Sequence, residues 1–99
     1  RANRKWRLQK RYGLSYDAFI AQLTHQGKMC AGCRKRLDPN NPQTHVDHCH
    51  KTGRVRGILC RPCNQALGML RDDPDLLRSL AVYIDQGGVW FTDVEATPL

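Results

Sequence analysis

Six consecutive residues, His45-Val46-Asp47-His48-Cys49-His50, carry three of the chain's four histidines and one carboxylate. A lone histidine is usually a satisfied structural group; three around one acid ask for a chemical explanation. An imidazole near its ordinary pKa can take a proton from water at neutral pH. Carboxylate and amide oxygens suit a hard cation such as magnesium, which stabilises charge on a phosphate and its leaving oxygen. Cationic side chains beside them help to bind phosphate. Asp47, His48 and Asn64, with Arg54, Arg56 and Arg61 close by in sequence, supply a candidate for each task in phosphodiester hydrolysis.

Something must position these groups. Four of the five cysteines form two Cys-x-x-Cys pairs, Cys30/Cys33 and Cys60/Cys63, with 26 residues between the pairs. Each pair sets two thiolates on one tight turn, and two such turns make a closed tetrahedral sulfur site of the kind structural zinc prefers. Without a secretory signal, such pairs read as metal ligands before disulfides. A mononuclear iron site or two disulfides are the competing readings. Cys49 stands outside the pattern as a bystander. One zinc would tie the segment before the histidine cluster to Asn64, which directly follows Cys63.

The elements around this staple predict a small α+β fold, a zinc-stapled hairpin–helix core flanked by short helices. Residues 45–48 and 54–59 read as two strands, with Lys51-Thr52-Gly53 as the turn. Pro62 sits where a helix can begin, and that helix runs to about Arg71. Ser15 can cap a helix over 15–26, where Tyr16, Phe19, Ile20 and Leu23 form one stripe. A short basic helix over 1–12, anchored by Trp6 and ended by Gly13, competes with a free basic arm. Asp73 and Pro74 start a last helix striped by Leu76, Leu77, Leu80, Ala81 and Ile84, stopped by Gly87-Gly88. Val89, Trp90 and Phe91 are expected to pack back on the core, and the last eight residues to form a loose tail. The chain is read as one domain: 1–27 a basic helical segment, 28–71 the zinc-bound core, 72–99 a C-terminal helix and tail.

Charge separates these parts. Residues 1–71 hold fifteen Lys or Arg against three Asp, a balance of +12; residues 72–99 hold one Arg against six acids, a balance of −5. A basic field favours a polyanion, and nucleic acid is the commonest, although a solvated surface would show the same excess. Arg34, Lys35 and Arg36, after the first cysteine pair, are candidates for the nucleic-acid backbone or for an exposed basic loop. No apolar run reaches the roughly 20 residues needed to span a membrane. No signal-peptide pattern opens the chain, so the expected location is intracellular. It begins at Arg1, consistent with a fragment or a processed product.

The text CAGC followed by HVDHCHKTGRVRGILCRPCNQALG, preceded by YGLSYDAFIAQL, resembles the recombination endonuclease VII family of bacteriophages, within the HNH or ββα-metal nucleases. The resemblance covers about 60 of the 99 residues. It implies a phage or prophage origin, DNA as partner, and a one-metal hydrolysis leaving 5′-phosphate and 3′-hydroxyl ends. It matches Cys30, Cys33, Cys60 and Cys63 to structural zinc ligands, and Asp47 and Asn64 to ligands of a catalytic magnesium or manganese ion. His48 matches the general base; His50 matches a further active-site histidine that contacts phosphate or assists the leaving group. Well-known members continue into helices that build an intertwined dimer, whereas here 36 residues follow Cys63. Monomer and homodimer both remain open, as do nicking, double-strand cleavage and action on branched DNA.

Two other functions share some of these features. A non-catalytic zinc module that binds nucleic acid explains the cysteines and the charge but not the meeting of Asp47, His48 and Asn64. A protein-interaction zinc domain would not require the basic bias. The nuclease reading makes one geometric demand. Neighbours in a regular strand face opposite sides, so the strand must end, bulge or twist between Asp47 and His48.

Overall fold

Caps and apolar stripes place most of the helices where the sequence predicts them. The computed structural model describes residues 4–89. Its elements are α1 (Arg4–Tyr12), α2 (Tyr16–His25), β1 (Thr44–His48), β2 (Val55–Cys60), α3 (Arg61–Met69) and α4 (Pro74–Asp85). This is a small α+β arrangement in which β1 and β2 form a two-stranded antiparallel sheet. Among the described residues, no helix is long and apolar enough to cross a membrane.

Ser15 caps α2 by accepting from the Ala18 N–H, which satisfies one of the free amides of the first turn. The stripe of α2 then turns Phe19 and Leu23 into the core, where they meet Leu37, Val46 and Ile58. α1 is a helix rather than a free arm, but its anchor is not the expected one. Trp6 is 56% exposed and Leu8 only 4%. Two helical residues are about 200° apart, so a helix that buries Leu8 turns Trp6 away. Arg4, on the Leu8 side, donates from Nη2 to the Thr44 carbonyl at 2.7 Å and lies over the Phe19 ring.

The amide of Gln26, just beyond α2, fastens that helix to β2. Its Nε2 donates to the carbonyls of Met29 and Ile58, and its Oε1 accepts from the Ile58 N–H and from Gln22. The side chain thus serves the open edge of β2 as a further strand would. At the other end of the hairpin, the Gly53 N–H reaches Cys49 O and the Cys49 N–H reaches Arg54 O, both at 2.7 Å. Gly53 stands at φ +76°, a conformation other residues adopt only with strain.

α3 begins directly after β2, with Pro62 in its first turn, where a missing N–H costs nothing. Its exit is less ordinary: Arg71 and Asp72 both have positive φ, 57° and 54°. Left-handed backbone costs ~1–2 kcal/mol per non-glycine residue. Asp73 then caps α4, accepting from Asp75 and Leu76. The stripe of α4 exists but is not buried. Leu76 and Leu77 are half-buried, whereas Leu80 and Ile84 are exposed. Val89 is 76% exposed and does not pack back on the core. The expectations for Trp90, Phe91 and the tail lie outside the described residues. An amphipathic stripe shows that a helix has an apolar side, not what covers it.

The two cysteine pairs meet. The sulfurs of Cys30, Cys33, Cys60 and Cys63 all lie within 4.8 Å of one another, and Cys33 and Cys60 are 3.7 Å apart. Tetrahedral zinc with Zn–S bonds of about 2.3 Å sets sulfurs about 3.8 Å apart, so the cluster fits that ion. Amides of Gly32, Cys33 and Cys60 point at Cys30 Sγ. Burial pushes the Cys30 thiol up, but those N–H groups outweigh it and bring it to about 6. Burial and the three neighbouring thiols push Cys63 up to about 12. The cluster therefore resists carrying four thiolates alone and suits a divalent cation. Close approach is built in: a Cβ on Gly32 would sit 3.3 Å from Cys63 Sγ.

Structural zinc contributes about 10–16 kcal/mol to small zinc-binding units, as much as the whole stability of a typical domain. Cys63→Ser is accordingly expected to abolish cooperative thermal unfolding by circular dichroism and to release the metal. A variant that melts like the parent would show that the cluster is not structural. Gln26→Ala removes two hydrogen bonds to the edge of β2 at about 1 kcal/mol each. It should lower stability in urea by about 2 kcal/mol, and an unchanged midpoint would contradict this role.

Candidate active site

A break in strand pairing shapes this site. Asp47 pairs with Gly57, but the next residue, His48, pairs with Val55. Arg56 is thus one extra residue in β2, a bulge that increases local twist. β1 ends at the same point. The bulge thus lies in β2, opposite the pair, and β1 itself ends at His48.

Five side chains form an open ring of contacts around this bulge, with Asp47 at one end and its chain neighbour His48 at the other. The buried carboxylate of Asp47 accepts from Arg56 Nε at 2.8 Å and from Arg56 Nη2 at 3.0 Å. Arg56 Nη2 also donates to Asp72 Oδ1 at 3.2 Å. The other Asp72 oxygen lies 3.3 Å from His50 Nδ1. The His50 ring centroid is 4.9 Å from that of His48, which returns the circuit to the neighbour of Asp47. Tyr12, from α1, flanks His48 at 5.6 Å.

The ring sets one guanidinium between two carboxylates. Hydrogen bonds donated to Asp47 and then to Asp72 hold Arg56 firmly protonated. Arg56, and after it His50, draws the Asp72 carboxyl below its usual range. Beside the ring lies a cavity of about 460 Å³ bordered by His50, Lys51, Arg56, Arg71 and Asp72, large enough for a phosphate group. Cys49 also borders it, apart from the sulfur cluster. The Thr52 hydroxyl, with the amides of Thr52 and Lys51, lowers its thiol to about 7.

The other sequence candidates are distributed as follows. Asn64 occupies the first turn of α3, half-buried, one residue after Cys63. α3 packs on both strands, but among the described residues no hydrogen bond joins Asn64 to the ring. Arg54 and Arg61 are exposed. Burial lowers the pKa of His45, and the charges of Arg61 and Arg4 lower it further. Arg34, Lys35 and Arg36 are exposed beside the sulfur cluster, where Cys30 N–H donates to Lys35 O. They take no part in the ring.

Sequence reasoning missed Asp72 and Tyr12. Asp72 reads as the start of α4, and no local pattern shows that its carboxylate turns back 16 residues to Arg56. The one available signal was an acid without a partner, placed between two helices. Tyr12 closes a basic helix, and nothing in its spacing points to His48.

The oxygen-donor residues Asp47 and Asn64 have the chemistry that a hard cation takes. Arg56 occupies two of the roughly four lone-pair directions of the Asp47 carboxylate, so the group retains capacity for another cation.

Known sequences give this geometry a context. The family model for recombination endonuclease VII matches residues 5–86. The chain is 36% identical over 87 residues to the Gene 59 protein of Mycobacterium phage D29, covering 85% of this chain and 52% of that one. The Gene 59 protein of Mycobacterium phage L5 is 34% identical over the same length, with the same coverage. The chain thus spans about half the length of these relatives. The family match runs from α1 to the end of α4 and includes both cysteine pairs and the whole ring, and on that ground the chain belongs to the recombination endonuclease VII family.

Proposed function

We propose that this chain is a DNA endonuclease of the HNH, or ββα-metal, type that hydrolyses phosphodiester bonds with magnesium or manganese. One observation carries the reading beyond the family: a run of side-chain contacts leads from Asp47 through Arg56, Asp72 and His50 to His48, and its middle members Arg56, Asp72 and His50 border a cavity large enough for a phosphate group. A zinc module that only binds nucleic acid has no need of that arrangement.

Asp47 and Asn64 would hold the catalytic cation through oxygen. When bound, it stabilises negative charge on the phosphate and the leaving oxygen. His48 takes the proton of the attacking water on a ring nitrogen; its position between Tyr12 and His50 limits its rotation. Asp72 takes the Nδ1 edge of His50, which leaves Nε2 to contact phosphate or assist the leaving group. Arg56 uses Nε and Nη2 on carboxylates, and the N–H groups of Nη1 remain for a phosphate oxygen. The products expected are a 5′-phosphate and a 3′-hydroxyl. The catalytic unit is a single domain with structural zinc, and branched DNA is among its substrates.

Purified protein should nick supercoiled plasmid when magnesium or manganese is added and leave it intact when they are omitted. Omission is the right control, because a strong chelator would also strip the cysteine cluster. His48→Ala should slow nicking by about 10²–10⁴-fold, the usual range for a general base, with zinc content and circular dichroism unchanged. Nicking at the parental rate would refute the assignment. Asp72→Asn suits the same left-handed backbone and keeps an acceptor, but it loses the charge opposite Arg56 and His50. It should slow nicking by about tenfold, the equivalent of roughly 1.4 kcal/mol in the barrier, without changing the melting temperature.

A further inference from the structure

A groove of about 160 Å³ between α1 and β1 carries positive charge that the ring does not use. Arg4, Arg7, Arg11 and Tyr12 line it from α1, and Thr44 and His45 line it from β1. The arginines recur at i, i+3 and i+7, so one helical face presents all three. Among the described residues, no carboxylate borders the groove. Among the described residues, neither Arg7 nor Arg11 takes part in an ion pair, unlike Arg56 and Arg78. Arg4 is held in an unfavourable place. Its Nε is buried and has no hydrogen-bond partner among the described residues. Burial lowers its pKa, and the charge of Arg7 lowers it further. Like charges gathered without an internal counter-charge create a field that an external polyanion relieves. The groove also has a direction: Tyr12, at its end, lies against the His48 ring.

We propose that this groove is a phosphate track that seats the backbone of one DNA strand along Arg4, Arg7 and Arg11 and delivers it to His48. The proposal rests on the nuclease reading above and names the surface that holds the substrate. From Arg4 to Arg11 the helix rises about 10 Å. That matches about three phosphates of one strand, at about 3.4 Å of duplex axis each. Such contacts fix where the strand lies and carry no base preference. The track adds residues to which sequence reasoning assigned no contact, since the candidates there were Arg34, Lys35, Arg36, Arg54, Arg56 and Arg61.

The test is binding of a fluorescent duplex of about 20 base pairs in calcium buffer across a series of salt concentrations, with uncut substrate verified on a gel. Arg7→Gln with Arg11→Gln replaces two exposed side chains. It should weaken binding by about tenfold or more at moderate salt. It should also make the plot of log affinity against log salt shallower by about two, one for each lost phosphate contact. Arg7→Lys with Arg11→Lys should restore most of the slope, because lysine serves phosphate as a point charge. Lys28→Gln with Arg78→Gln removes the same net charge away from the groove and should change both quantities far less. Unchanged affinity and slope in the Arg7/Arg11 variant would overturn the track, as would an equal loss in the Lys28/Arg78 control. If the parent chain itself neither binds nor nicks DNA, the nuclease reading fails first. If the parent does both and the groove variant behaves like it, the track alone is wrong.

Discussion

Four sulfur atoms within 4.8 Å of one another cannot all carry charge unaided. Two unit charges 4 Å apart repel by about 4 kcal/mol at an effective dielectric constant of 20, and four thiolates make six such pairs. A divalent cation reverses the sign of that interaction and turns a liability into a clamp. The clamp joins the loop after α2, the end of β2 and the start of α3. Because Cys60 closes β2 and Cys63 lies within the first turn of α3, strand and helix have little freedom to move apart. The hairpin, the bulge and the ring are all mounted on this joint. The apolar core is modest by comparison, with Phe19, Leu23 and Ile58 as its most deeply buried large side chains.

A second layer of organisation is polar. Gln26 serves the edge of β2 with its amide, and Arg56 joins Asp47 to Asp72. Both links cross from one element to another, and both rely on planar groups with several donors or acceptors in fixed directions. In a chain of 99 residues these contacts give direction where apolar packing gives only proximity. The Asp47 carboxylate is buried, whereas that of Asp72, held by shared hydrogen bonds, borders the adjoining cavity.

What could be read from the sequence was what depends on neighbours. Ser15 and Asp73 cap because side-chain oxygens reach amides two or three residues on. Lys51-Thr52-Gly53 turns because Gly53 accepts positive φ. The cysteine pairs declare their joint through spacing. What could not be read depends on distance in the chain. Asp72 reaches Arg56 only because Arg71 and Asp72 take a left-handed turn without glycine. Trp6 is the bulkier residue, yet the rotation of α1 buries Leu8. The stripe of α4 is plain in the sequence, and its exposure is not, because periodicity is silent about partners. Asn64 sits on the expected turn, but spacing alone says nothing about which atoms it touches.

The extra residue in β2 has an effect on how this sequence can drift. The pairing steps from Asp47 with Gly57 to His48 with Val55 because β2 carries one residue more than β1 at this point. Loss of a single residue there would remove the bulge and shift the pairing of everything on one side of it, whatever amino acids remained. The segment from Asp47 to Cys60 is therefore rigid in length at its strand end while tolerant of exchange in type. The loop around Asn40 and Asn41 lies outside both the paired strands and the sulfur clamp and carries no such restriction. Insertions and deletions among descendants of this chain should collect in that loop and spare the hairpin.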